Sequence, residues 1–63
     1  MARMKDETKR QSILESSKML FSQKGFFNTS ISNIVRETGF PVGTIYTYFK
    51  SKDEIVRSIV EEG

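Results

Sequence analysis

The stretch GFPVGTIYTYFKSKDEI, residues 39–55, decides how the chain is read. It opens on Gly-Phe-Pro, which ends one helix and starts another. Glycine supplies the left-handed residue that follows a helix stop. Proline's fixed φ suits a first helical turn, where its missing N–H costs nothing. Between Phe40 and Lys52 there is no carboxylate. The window carries five hydroxyls (Thr44, Tyr46, Thr47, Tyr48 and Ser51) and the lysines Lys50 and Lys52. Ser51-Lys52-Asp53-Glu54 then reads as a full capping box opening a further helix. Asp53 and Glu54 also favour that helix's N-terminal dipole.

Upstream the same grammar repeats. A short helix is expected over residues 31–38, with Ser30 as N-cap, Asn33 in a weak capping box, and Ile31, Ile34 and Val35 as its buried stripe. With Gly39 left-handed, Phe40 and Val35 take the two positions that touch in a Schellman stop. Gly25 ends an earlier helix, about residues 6–24, with Phe26 and Phe21 in those positions. The stripe of that helix is Ile13, Leu14, Leu20 and Phe21, with Ser17 in register. A residue as small as Ser17 there predicts close approach of a neighbouring helix. Asp6 and Arg10 make a favourable i,i+4 pair, and residues 1–5 read as a basic, frayed arm. The third helix spans about 41–49. The fourth carries Ile55, Val56, Ile59 and Val60 on one face.

At 63 residues the chain is one small all-α domain, burying roughly 60% of its unfolded surface. It has no cysteine and no histidine. That excludes disulfides and thiolate metal sites, and removes the usual general base and commonest metal ligand. No plausible carboxylate pair replaces them, so an enzyme is a poor reading and no cofactor or metal is implied. The net charge of +2 and pI near 9.2 are compatible with nucleic acid. No apolar run reaches the ~20 residues of a membrane span. The expectation is a soluble cytoplasmic domain with no membrane partner.

Two short helices joined across Gly39 and Phe40 form a helix-turn-helix unit. In such a unit the second helix enters the DNA major groove. Tyrosine and threonine hydroxyls and lysine ammoniums are donors to phosphates and base edges. A carboxylate there would be repelled by a duplex carrying one charge per about 1.7 Å. Gly43 would let the backbone approach closely. A plainer reading competes with this. Val42, Ile45, Tyr46 and Phe49 fit i, i+3, i+4, i+7. Periodicity favours core packing for Ile45 and Phe49 and leaves Val42 and Tyr46 open between core and surface. Thr44, Thr47 and Tyr48 fall on a solvated face by default, Lys50 and Lys52 are ordinary surface lysines, and Ser51 needs no ligand to cap a helix. The functional reading gains because the acid-free window coincides with the second helix of a tight helix-turn-helix.

The ordered set Ile13-Leu14, Leu20-Phe21, Gly25-Phe26, Thr29-Ser30, Ile34, Gly39, Gly43-Thr44-Ile45-Tyr46, Phe49 and Lys52-Asp53 resembles the N-terminal DNA-binding domain of TetR-family bacterial transcriptional regulators. The resemblance covers about residues 10–56. It implies a three-helix, homeodomain-like helix-turn-helix domain plus the start of a fourth, linking helix. The divisions are then 1–9 (arm and start of the first helix), 10–50 (the DNA-binding domain) and 51–63 (start of the linking helix). It implies sequence-specific binding to a double-stranded DNA operator, in a protein that acts as a repressor. It further implies a homodimer formed through a C-terminal domain absent from this chain, which also binds an effector.

Carried over by position, Tyr46, Lys52, Thr29 and Ser30 correspond to phosphate-contacting residues. Val42, Gly43, Thr44 and Thr47 correspond to positions that face bases. The sequence departs from the family pattern at four points. Pro41 stands where serine is usual, so a cap hydroxyl is missing. Tyr48 stands where histidine is usual, and can still donate to phosphate. Phe40 replaces a smaller valine. Val42 is apolar where polar or basic residues are frequent, which favours contact with a thymine methyl. A second class of reading is a protein-interaction module using the apolar face of the fourth helix.

Overall fold

The computed structural model describes residues 7–62. Four helices follow in order: α1 (Glu7–Lys24), α2 (Ile31–Thr38), α3 (Val42–Tyr48) and α4 (Lys52–Glu62). Among the described residues there is no strand, so the all-α expectation holds. α1 packs against both α2 and α4, and α2 packs against α3. The core is Ile13, Leu14, Leu20, Ile34, Ile45, Phe49 and Ile55, all buried. Each helix contributes to it, with Phe49 supplied by the residue that closes α3.

Ser17 is fully buried on the α1 stripe, and its Oγ donates to the Ile13 carbonyl at 2.7 Å. The hydroxyl is therefore satisfied within its own helix, and the small side chain leaves room for neighbours. The Asp6–Arg10 pair and the basic arm of residues 1–5 lie outside the described residues. Arg10 meets Glu7 at 3.4 Å on the surface, and its guanidinium lies 5.7 Å from the centre of the Phe49 ring.

Both glycine stops are present, with φ 91° at Gly25 and 81° at Gly39. The bond pattern differs from a Schellman stop. Each glycine amide itself donates back, Gly25 to Phe21 O at 2.9 Å and Gly39 to Val35 O at 2.8 Å. This is the simpler left-handed stop with a single 5→1 bond. After Gly39 the Phe40 amide goes to Thr38 Oγ1 at 3.2 Å, so a side chain takes the donor that a Schellman bond would have used. The apolar contact still forms after Gly25, where the Phe21 and Phe26 rings lie 5.3 Å apart.

The caps follow the sequence with two departures. Ser30 and Asn33 complete a reciprocal capping box on α2. Pro41 is the N-cap of α3 rather than its first residue, with ψ 153° and no side-chain cap bond. Its carbonyl accepts from the amides of Thr44 and Ile45. At α4, Ser51 Oγ accepts from the Glu54 amide at 3.4 Å, but the Glu54 carboxylate takes the Lys50 amide at 3.2 Å. The expected full box is thus one-sided, because the glutamate reaches one residue further back than the cap.

Candidate nucleic-acid interface

α3 is amphipathic in a way that separates its residues cleanly. Ile45 and Phe49 are buried, as periodicity favoured. Val42 and Tyr46, left open by the pattern, are 50% and 43% exposed. The four-residue spacing of a helix puts Gly43 and Thr47 one above the other. Both are exposed, on the side away from Ile45. Thr44 and Tyr48 are half-buried, one turn apart on the flank of that surface. Tyr48 packs against the core cluster.

The hydroxyls of α3 are not all equally available. Thr47 Oγ1 donates to the Gly43 carbonyl at 2.9 Å. Its proton is engaged inside the helix, while its lone pairs and methyl face outward. Gly43 has open space where a Cβ would stand, with nothing within 4 Å, and no positive φ. Neither the fold nor the backbone conformation explains a glycine there.

The start of α2 divides the Thr29–Ser30 pair. Ser30 is exposed, its hydroxyl held in the capping box. Thr29 is 1% exposed, and its Oγ1 donates to Gly25 O at 2.9 Å with a longer 3.3 Å approach to Leu20 O. The expected phosphate contact of the Thr29 hydroxyl does not fit this placement. The side chain is inside, tying the end of α1 to the start of α2, because a carbonyl left by the glycine stop needs a donor. Thr29 therefore positions Ser30.

Lys52 holds the other edge. Its Nζ donates to the Phe26 carbonyl at 2.7 Å and lies 4.3 Å from the centre of the Phe26 ring. The ammonium thus joins the start of α4 to the loop after α1, and an ammonium has three donors to distribute. An open depression of about 450 Å³ adjoins it, lined among others by Tyr46, Lys50, Lys52 and Phe27. It gathers Tyr46 and Lys52 from the expected set. Lys50 and Phe27 were not in that set. The acid-free window pointed to Lys50, whereas nothing in the sequence sets Phe27 apart from the half-buried phenylalanines Phe21 and Phe26.

Among the described residues no three His, Cys, Asp or Glu side chains come together as a metal site. Nor, among the described residues, is any helix long and apolar enough to cross a membrane.

Known proteins share this sequence pattern. The profile described as "Bacterial regulatory proteins, tetR family" matches residues 13–59, which include the α2–α3 unit, Lys52 and most of α4. The chain is 46% identical over 56 residues to the uncharacterized HTH-type transcriptional regulator YfiR of Bacillus subtilis (strain 168), covering 87% of this chain and 27% of that protein. It is 40% identical over 50 residues to the HTH-type transcriptional regulator HbdR of Aromatoleum sp. (strain CIB), covering 79% and 22%. It is 32% identical over 50 residues to the fatty acid metabolism regulator protein of Bacillus subtilis (strain 168), covering 79% and 26%. The chain spans about a quarter of the length of these curated relatives. The four-helix fold and the match across residues 13–59 show that the chain belongs to the tetR family of bacterial regulatory proteins, regulators rather than enzymes.

Proposed function

We propose that this chain binds double-stranded DNA in a sequence-specific manner, with α3 in the major groove, as the DNA-binding part of a transcriptional repressor. One observation carries the reading. The exposed face of α3 is built from Val42, Gly43, Tyr46 and Thr47, with no carboxylate between Phe40 and Lys52. Such a face meets a polyanion without repulsion. Val42, Gly43, Thr44 and Thr47 face the base edges. The Val42 side chain and the Thr47 methyl suit thymine methyls, and the Thr47 lone pairs suit a base amino group. Tyr46, Tyr48, Lys52 and Ser30 hold phosphates on either side, fixing register without reading sequence. Thr29 supports Ser30 from within.

In the intact protein α4 leads into a C-terminal domain that dimerises and binds an effector. The length of the relatives supports further chain beyond this domain, and Val60, 73% exposed on α4, offers it an apolar contact. A dimer would place two such domains about one DNA turn apart, on a two-fold symmetric operator. The interaction-module reading is then the role of α4 in the same protein.

Selection from a library of randomised duplexes tests the proposal. Enrichment of a defined half-site by the chain, with a changed base preference for Thr44→Ala, is the expected result. Recovery of duplexes without sequence preference would contradict base reading by α3.

A further inference from the structure

Phe27 is 91% exposed, and the core does not use it. Its ring sits 5.3 Å from that of Phe26, at 79°. The Phe26 ring also meets the Lys52 ammonium. Phe27 therefore stands on the outside of a short stack that begins at a cation. With Phe26, Ile31 and Tyr46 it forms the apolar part of the open depression beside α3, while Lys50 and Lys52 form its cationic part. Asp53 is the only acid lining it. A surface with two ammoniums and a free aromatic ring matches one strand of a nucleic-acid backbone, which alternates anionic phosphates with largely apolar deoxyribose faces.

We infer that this depression seats the sugar-phosphate strand flanking the groove entered by α3, with Phe27 packed on a deoxyribose and Lys50 and Lys52 each on one of the adjoining phosphates. The inference rests on the DNA-binding reading above and extends it to Phe27 and Lys50. Continuity favours this occupant: Tyr46 belongs both to the depression and to the exposed face of α3. The contact is indifferent to base identity, because every nucleotide presents the same sugar. It adds affinity without counterion release, since a phenyl ring neutralises no phosphate.

The test measures affinity of the chain for two unrelated duplexes across a range of salt, for wild type, Phe27→Ala, Phe27→Tyr and Lys50→Ala. Phe27→Ala should bind both duplexes roughly fivefold more weakly, the scale of losing one half-buried ring. Its salt slope should be unchanged, and Phe27→Tyr should bind as wild type. Lys50→Ala should flatten the slope by about 0.9, one phosphate contact. A well-dispersed amide spectrum for Phe27→Ala confirms that the fold is kept. Wild-type affinity for Phe27→Ala would overturn the inference while leaving DNA binding by α3 intact. So would wild-type affinity combined with lost self-association in sedimentation, which would identify a second copy of the chain as the occupant. Failure of the wild-type chain to bind either duplex would overturn both readings together.

Discussion

Lys52 and Phe26 are 26 residues apart in sequence, yet the lysine Nζ donates to the Phe26 carbonyl at 2.7 Å and faces its ring at 4.3 Å. The bond spans the fold from the α1–α2 loop to the start of α4, at the edge of the surface assigned to DNA. Two consequences separate experimentally. Lys52→Ala should lower the melting temperature, since it removes a charge-assisted hydrogen bond of about 1–3 kcal/mol. It should also weaken binding to all duplexes alike and flatten the salt dependence by about 0.9. A lower melting temperature with an unchanged salt slope would assign Lys52 to the fold alone.

Gly43→Ala should act in opposite directions on stability and binding. Open space surrounds the position and its φ is not positive. Alanine should therefore stabilise α3 by about 0.5–1 kcal/mol through helix propensity. The added methyl would stand between the helix backbone and the bases. Thermal unfolding and duplex affinity, measured on one preparation, should move apart. A variant both more stable and equally tight would remove Gly43 from the interface.

Gly25→Ala and Gly39→Ala should each destabilise by roughly 1 kcal/mol or more, because alanine resists a positive φ. Crowding contributes little. A Cβ at Gly39 meets nothing within 4 Å, and one at Gly25 meets only Asn28 Nδ2, at 3.8 Å. Urea unfolding of either variant should show a lower midpoint at constant m. An unchanged midpoint would mean that the backbone relaxes out of the left-handed region without penalty.

Thr29→Val keeps shape and removes the hydroxyl that serves Gly25 O. The carbonyl loses its side-chain donor, and the expected cost is about 1–2 kcal/mol. The salt slope of DNA binding should stay at the wild-type value, since Thr29 is buried. Ser30→Ala should instead lower affinity as well as stability. Equal salt slopes and equal affinities for wild type and Ser30→Ala would leave Ser30 a helix cap only.

The fold was legible because its punctuation is local. Gly25, Gly39, Pro41 and Ser30 mark helix ends through conformations and bonds reached within a few residues. Ile45 and Phe49 declared themselves by spacing. Val42 and Tyr46 did not, since i, i+3, i+4, i+7 describes an arc wider than the side of α3 that is buried, where Ile45 lies. The site was legible in kind and less so in detail. The burial of Thr29 beside the exposed Ser30 has no local signal, since both carry hydroxyls and only the α1 stop makes a buried donor necessary. The Lys52–Phe26 bond crosses the fold and leaves no local signature. Glu54 reaches Lys50 rather than Ser51 by a choice of side-chain reach that sequence spacing does not encode.

The central claim is that α3 and the start of α2 form one DNA-facing surface. Titration of the isotope-labelled chain with a short random duplex, read as amide shifts at low and moderate salt, tests it most directly. Shifts are expected at residues 29–32 and 42–52 and should shrink as salt rises, with the α4 residues 55–60 little changed. Shifts confined to residues 55–60, or none at any salt, would contradict it and leave the hydroxyl-rich face of α3 as solvated helix.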